Sequence, residues 1–433
     1  MNKFYIKKLG CDKNDVDADV MRGLLMKEGF IEIKDPELAD FIIVNTCGFI
    51  KPAKEESIDA ILTALDINES TKVYVTGCLA ERYADELIEE MPEVTSFIGI
   101  GHFDQIVDIV NKKNPPKIYR NNKNIGKEFL ARKIDEKPFA FVKIADGCNS
   151  KCSYCAIPSI KGSFQSRSID SIIQEVKHLA DQGVKEINLV AQNTTAYGLD
   201  LKPKTNIANL LKELIKIEEI KWFRLLYSYP GFITDELINL IANEEKIVSY
   251  LDIPIQHSHP KILQQMKRGA INLIKPEWFD NLRARIPNLS IRTTLIVGFP
   301  GETEEEFNHL LHFINEVQFD HLGVFVYSEE DNTPAADLDN KVDYEVAVQR
   351  MNIIVEEQKY IAYNQKKKWL NKKVDVIVEK RLSRSKYEIR SEMNAPDIDA
   401  HFYIDSAIDL TPGQIVKVVV TDIDFDALYG RVI

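Results

Sequence analysis

The chain reads as an α/β protein in three parts: an N-terminal parallel α/β domain, a central partial (β/α)6 barrel and a small C-terminal β-barrel. Three patterns predict this. Strand–helix units repeat through the first third, strand and helix signals alternate six times from Phe139 onward, and short alternating strands separated by turn residues close the chain. A length of 433 residues suits about three domains of ~100–200 residues each. The expected units are residues 1–125, 134–366 and 367–433.

In the first unit, Lys3–Leu9 ends in Gly10-Cys11, Phe41–Val44 runs on to Cys47-Gly48, and Lys72–Val75 runs on to Gly77-Cys78. A helical pattern follows each, over Asp15–Glu28, Ala53–Asp66 and Leu79–Met91. The cysteines lie 36 and 31 residues apart (11 to 47, 47 to 78), close to one strand–helix unit of roughly 30 residues. Such repetition implies a parallel sheet with all three cysteines at its carboxyl edge, where open α/β sheets bind ligands. Helix N-termini just downstream are expected to favour the thiolate, the form that binds iron. Three buried structural cysteines would be the plainer reading of any one alone. Residues 114–137, rich in Asn, Lys and Pro, read as a linker.

In the second unit the predicted strands are Phe139–Ile144, Glu186–Ala191, Phe223–Ser228, Tyr250–Ile255, Ile291–Val297 and Leu322–Tyr327, with helices such as Ser168–Gln182 and Ile207–Ile217 between them. Right-handed crossovers curl six such units into an incomplete barrel, whose functional residues belong at the strands' carboxyl ends. There stand Gln192–Thr195, Tyr227–Pro230, Gln256-His257 and Gly298–Glu302. Each also fits cap or turn chemistry, and Gly298 to Glu302 suits a tight turn opening a helix. In the third unit Val374–Lys380, Tyr387–Arg390, Ile415–Thr421 and Leu428–Val432 alternate as strands of a small barrel, joined by a helix over Tyr344–Leu370.

Cys148, Cys152 and Cys155 form the most informative cluster, in the loop after the first barrel strand. Thiolates this close can hold an iron–sulfur cluster and leave one iron without a protein ligand. Structural zinc would require a fourth Cys or His, and the nearest histidines are His102 and His178. Six cysteines are too few for a disulfide scaffold in a chain of this length.

Hydrophobic content of 45% and charged content of 28% are those of a soluble globular protein. The longest apolar runs, Phe41–Val44 and Leu295–Val297, fall far short of the ~20 residues a span needs, so no membrane partner is expected. The start enters a strand pattern directly, without a secretory apolar region, which predicts a cytoplasmic location. A net charge of −12 disfavours binding to a bare nucleic-acid backbone and favours a basic protein partner, although mild acidity also serves solubility. From Arg390 to Ile433 three basic residues (Arg390, Lys417, Arg431) face eight acidic ones, including Asp422, Asp424 and Asp426. A module that grips RNA would carry the opposite sign.

The spacing Cys-x3-Cys-x2-Cys, with Tyr154 before the last cysteine, resembles the signature of the radical S-adenosylmethionine (SAM) enzymes. The whole chain resembles the methylthiotransferases of that superfamily, its central part their radical-SAM barrel and its last part their TRAM domain. Among them it is most similar to those that modify an aspartate of small-subunit ribosomal protein twelve. The segments carrying the likeness are Leu9–Asp17 (LGCDKNDVD), Gly147–Ser159 (GCNSKCSYCAIPS), Gln192–Gly198 (QNTTAYG), Tyr250–His257 (YLDIPIQH) and Ser391–Asp399 (SEMNAPDID). Asp12 departs from a usual proline, Ala18-Asp19 from serine-glutamate and Lys161 from arginine; none of these removes a cluster ligand.

The resemblance implies two 4Fe-4S clusters and S-adenosyl-L-methionine as cofactors. Cys148, Cys152 and Cys155 would hold the cluster that generates a 5'-deoxyadenosyl radical, with Tyr154 and Gln192 as cofactor-binding candidates. Cys11, Cys47 and Cys78 would hold an auxiliary cluster that delivers sulfur to the aspartate β-carbon, and a second S-adenosylmethionine would donate the methyl group. The protein would supply positioning and exclusion of water. An electron donor and a sulfur donor are implied as further partners, neither identified by any sequence feature. Two other readings stay open: methylthiolation of tRNA adenosine, and a non-catalytic adaptor with zinc at both cysteine groups.

Overall fold

The computed structural model describes residues 2–68, 70–121, 125 and 128–433. The N-terminal unit is a six-stranded, wholly parallel sheet of β1 (Lys3–Lys8), β2 (Ile31–Glu32), β3 (Phe41–Thr46), β4 (Lys72–Gly77), β5 (Ser96–Ile98) and β6 (Ile118–Tyr119), in the order β2-β1-β3-β4-β5-β6. Helices α1 (Asp12–Lys27), α2 (Lys51–Asp66), α3 (Cys78–Glu90) and α4 (Ile106–Asn111) connect the strands. Every residue of β3 is buried, as in a strand covered on both faces. On one face Phe41 and Ile43 pack with Val16, Val20 and Met21 of α1; on the other Ile42 and Val44 pack with Ile61 and Leu79. Strands β2 and β6 were not foreseen, since two residues leave no periodicity. β6 lies in the predicted linker, of which residues 122–124, 126 and 127 lie outside the described residues.

The central unit is a second parallel sheet: β7 (Phe139–Lys143), β10 (Glu186–Val190), β11 (Trp222–Leu225), β12 (Ile247–Asp252), β13 (Ser290–Val297) and β14 (His321–Val326). They follow one another in space, with β7 and β14 as edges, so the barrel is six-stranded and incomplete. A small antiparallel pair, β8 (Ala145–Asp146) and β9 (Gln165–Ser166), brackets helix α5 (Ile157–Lys161). The outer helices are α6 (Ile169–Asp181), α7 (Ile207–Leu214), α8 (Asp235–Asn243), α9 (Pro260–Gln265), α10 (Pro276–Arg285), α11 (Glu304–Val317) and the long α12 (Tyr344–Lys367). Strands β11 and β12 each end three residues earlier than predicted. Tyr227 and Gln256 just beyond them adopt positive φ (58° and 74°), outside the strand region.

The C-terminal unit is a closed barrel in the order β15-β16-β17-β19-β18, built from β15 (Lys373–Arg381), β16 (Lys386–Ser391), β17 (His401–Asp405), β18 (Ile415–Ile423) and β19 (Ala427–Val432). β17 was missed because only Phe402 and Ile404 mark its inner face. The units are joined by buried charges. Glu186 of β10 accepts from Arg224 at 2.9 Å and also from Arg390 of the C-terminal barrel.

Arg132, in the predicted linker, is not solvated at all: its side chain is 1% exposed and bridges Asp19 of α1 (3.0 Å) to Glu175 of α6 (2.5 Å). Burial works against any charge here, and paired carboxylates offset it. Replacing Arg132 with Ala leaves Asp19 without that partner and Glu175 with Arg167 alone. We expect a loss of about 3 kcal/mol, the lower end of the cost of breaking a buried pair, read as a lower urea midpoint of the full chain.

Candidate functional site

Cys11, Cys47 and Cys78 sit at the carboxyl ends of β1, β3 and β4, three adjacent strands, so the topology brings their loops together. The approach is close enough to require glycine. A Cβ on Gly10 would lie 2.9 Å from the Cβ of Cys47, and one on Gly48 would lie 3.0 Å from the carbonyl carbon of Cys78. Asn14 of α1 locks the arrangement: its amide donates to Thr46 O (2.9 Å) and Leu9 O (3.3 Å), while the Cys78 thiol donates weakly to its Oδ1 at 3.9 Å. Burial pushes the Cys78 thiol up to about 12 and raises Cys47 as well. The expected thiolate-favouring effect of the helix N-terminus is therefore outweighed by desolvation, and ligation has to displace those protons.

Cys148, Cys152 and Cys155 lie in the loop between β8 and α5. Cys148 N donates to Gly162 O at 3.1 Å, and Ser153 is fixed by bonds from its N to Met266 O (3.0 Å) and from its Oγ to Gln265 O (2.8 Å). Tyr154 packs against the cluster of Ile262, Met266 and Phe299, and burial holds its phenol protonated. Burial likewise raises Cys155 to about 12, with Cys152 and Cys148 adding to the effect. Sequence reasoning missed Arg268. Following α9 in a Met-Lys-Arg-Gly turn it looks solvated, yet it is half-buried against Tyr229, 4.4 Å from the ring centre, with Nη1 3.7 Å from Cys152 Sγ.

The two cysteine groups are neighbours. Cys78 packs with Ala156, which directly follows Cys155, and with Ile160 of α5. Beside them runs a chain of buried charges: Asp17–Lys143 (2.5 Å), Lys143–Asp146 (3.3 Å) and Asp146–Lys161 (3.4 Å). Burial opposes ionisation of Asp146, but the ammonium groups of Lys161 and Lys143 outweigh it and hold its carboxyl below the usual range. Gln192 donates to Asp146 Oδ1 at 2.7 Å. No three His, Cys, Asp or Glu side chains among the described residues stand within reach of one metal ion, as mononuclear zinc requires; ligands of a four-iron cluster bind separate irons.

At the barrel mouth several predicted residues serve the backbone. Asn193 accepts from Ala196 N at 3.2 Å, and Thr195 Oγ1 accepts from Tyr229 N at 2.9 Å. Glu302 accepts from Gly298 N at 3.0 Å and from Arg350 at 2.7 Å, so that turn is structural, while His257 is fully buried with Nε2 3.4 Å from Glu302. Others are unsatisfied: Gln192 Oε1, Thr194 Oγ1, Ser228 Oγ and Asp252 Oδ1 are buried and have no partner. Burial pushes Asp252 up to about 6. Buried polar atoms without partners fit a lumen that takes a polar ligand such as S-adenosylmethionine.

Residues 3–99 match the uncharacterized protein family UPF0004, residues 142–314 the Radical SAM superfamily and residues 372–433 the TRAM domain. Among solved structures, the radical S-adenosylmethionine methyltransferase TsrM from Kitasatospora setae, with cobalamin and a [4Fe-4S] cluster bound, superposes with TM-score 0.56 at 15% identity over 77% of this chain and 76% of that one, a likeness of fold. The ribosomal protein uS12 methylthiotransferase RimO of Desulfitobacterium hafniense is 41% identical over 100% of this chain and 98% of its own length. The proteins of the same name from Geobacter sulfurreducens (42%; 100% and 98%) and Caldanaerobacter subterraneus (43%; 98% and 98%) agree. With identity at this level along its full length, the chain belongs to the RimO family of radical S-adenosylmethionine methylthiotransferases.

Proposed function

We propose that Cys148, Cys152 and Cys155 hold the radical-generating cluster and Cys11, Cys47 and Cys78 the auxiliary one. Tyr154 and Gln192 border the S-adenosylmethionine site, and the substrate is an aspartate of ribosomal protein uS12. The enzyme is a radical S-adenosylmethionine methylthiotransferase whose cofactors are two 4Fe-4S clusters and S-adenosyl-L-methionine. When bound, they supply one-electron chemistry able to break an unactivated C–H bond. The observation that carries the site assignment is the convergence of three cysteines at adjacent strand ends, with Cys78 packed on Ala156 beside Cys155.

The chain's own residues then have defined work. Ser153 anchors the cluster loop to the end of α9, Arg268 sets a positive charge beside Cys152, and Lys161 sets another near Cys78 and Cys11. Positive charge there offsets thiolates that burial alone would keep protonated. The working units are residues 1–125, 134–366 and 367–433, and the setting is the cytoplasm; among the described residues no helix is long and apolar enough to cross a membrane.

Two variants separate the two clusters. Cys152→Ala is expected to abolish 5'-deoxyadenosine formation, since two thiolates remain where three are required. The Cys11, Cys47 and Cys78 triple Ala variant should lose about half of its iron and all methylthiolation while still forming 5'-deoxyadenosine. Iron analysis and chromatography of reaction products check both; unchanged iron in the triple variant would return these cysteines to a structural role.

Substrate choice is tested by incubating the reconstituted enzyme with uS12 and, separately, with tRNA, followed by mass spectrometry. Methylthio-aspartate in uS12 and unmodified tRNA are expected. The C-terminal barrel adds a charge test. Asp422, Asp424 and Asp426 are all exposed, but Asp424 accepts from the backbone N of Asp426 (2.8 Å) and Ala427 (2.7 Å) and so shapes its own turn. Reversing only Asp422 and Asp426 to Lys should weaken uS12 binding at low salt and matter less at high salt, by loss of attraction to a basic protein. Equal binding at low salt, or modification of tRNA alone, would favour the tRNA reading.

A further inference from the structure

Two residues beyond Cys11, on the side of α1 that meets the barrel, stands a group that neither cysteine site uses. Lys13 is 7% exposed; its Nζ lies 3.0 Å from Asp12 Oδ1 and 3.5 Å from the centre of the Tyr227 ring. The Tyr227 hydroxyl donates to the same Asp12 Oδ1 at 3.0 Å, across 215 residues of sequence. Tyr227 itself is held at φ 58°, and its N donates to Asp252 Oδ2 at 2.8 Å. A bulky residue at positive φ is strained and persists only where its surroundings fix it. The result is a lysine ammonium and a phenol hydroxyl, one from each domain, aimed at a single carboxylate oxygen.

That carboxylate is incompletely bound. Asp12 Oδ2 is buried without a partner, and so are Asp252 Oδ1 and Ser228 Oγ at the adjoining strand ends. A carboxylate directly after Cys11, held on one oxygen by a cation and a hydroxyl, occupies the setting that an incoming aspartyl side chain would itself need.

Resting on the reading that the substrate is an aspartate, we propose that Lys13 and the Tyr227 hydroxyl bind the substrate's side-chain carboxylate, and that Asp12 occupies their place until substrate arrives. The β-carbon to be modified is bonded directly to the carboxylate carbon, so holding that carboxylate beside Cys11 places the reacting carbon next to the auxiliary site. Lys13 and Tyr227 thereby select a carboxylate over an amide or a nucleobase, because a neutral group leaves a buried ammonium uncompensated. Asp12 sets how hard the substrate must compete.

The test uses the reconstituted full-length enzyme with S-adenosylmethionine and no reductant, so that nothing turns over. Fluorescence anisotropy measures the Kd of a labelled uS12 peptide containing the target aspartate, of the same peptide with asparagine there, and of a scrambled control. The parent should prefer the aspartate peptide by about tenfold, the scale of one charge-assisted hydrogen bond. Lys13→Met should erase that preference and Lys13→Arg retain part of it. Asp12→Asn, which keeps the shape and removes the competing charge, should tighten the aspartate peptide several-fold and leave the asparagine peptide unchanged.

A purely tethering role for this trio makes opposite predictions. Asp12→Asn would then weaken both peptides alike, and Lys13→Met would keep the aspartate preference; either result overturns the inference. Should Lys13→Met fail to fold, the sign of the Asp12→Asn effect decides. A parent that binds both peptides equally, and better than the scrambled control, overturns this inference alone. A parent that binds neither better than the control overturns the uS12 reading and this inference with it.

Discussion

The chain of charges from Asp17 through Lys143 and Asp146 to Lys161 is the joint on which the rest of the site depends. All four residues are buried, at 5, 0, 8 and 4% exposure. Charges so placed cost several kcal/mol each unless paired, so every member requires its neighbour. Asp17 belongs to α1, Lys143 ends the first barrel strand, Asp146 precedes the cluster loop and Lys161 ends α5. The N-terminal domain therefore cannot slide on the barrel without separating buried opposite charges, and the two cysteine groups hold one relation to each other. Lys161 meets the Asp146 carboxylate with a compact ammonium, as a point charge rather than by a two-pronged contact.

The same economy governs the thiols. Left to themselves, Cys78 and Cys155 are held protonated by burial, so their proposed service as ligands would depend on positive charge arriving with iron. The protein prepares part of that charge in advance through Lys161 and Arg268. Gln192 ties this frame to the barrel mouth by its bond to Asp146, leaving its own carbonyl oxygen without a partner. A side chain bonded on one polar atom, with the other buried and unpartnered, suits the ligand-site role proposed for Gln192.

What was legible in the sequence was whatever repeats or clusters. The cysteines at three strand ends could be placed because a parallel β-α unit has a fixed length and puts its turns on one edge. Cys148, Cys152 and Cys155 were visible because their spacing is short. Features created by tertiary contact left no local signal: Arg132 sits in a polar stretch that reads as a linker, and Arg268 in a basic turn that reads as surface. What holds them depends on Asp19 and Glu175 in one case, and on Tyr229 and Cys152 in the other, all distant in sequence. The early ends of β11 and β12 were hidden for a related reason. Apolar residues continue past both ends, but Tyr227 turns the backbone out of the strand region in one case, and Pro254 has no N–H to continue the ladder in the other. The acidity of Cys47 and Cys78 was misjudged because a helix N-terminus is readable in sequence and depth of burial is not.

Each unit has its own apolar core, and the seams are of two kinds. Small apolar patches adhere: Cys78 and Ile100 against Ala156 and Ile160 on one side of the barrel, Ile377 and Ala395 against Trp222 and Tyr250 on the other. Apolar contact is non-directional and tolerates sliding, so it does not fix an orientation. Directional charge does. Glu330, past the last barrel strand, accepts from Arg82 of α3 (2.7 Å) and Lys54 of α2 (2.9 Å), while Arg132 and the Asp17–Lys143 pair fix the face of α1. Contacts from three helices of one domain to separate points of the other leave no axis about which the two can turn without breaking a buried pair. Two cysteine groups 70 residues apart in sequence (78 to 148) are thereby held side by side, as the proposed meeting of sulfur at one with a radical made at the other would require.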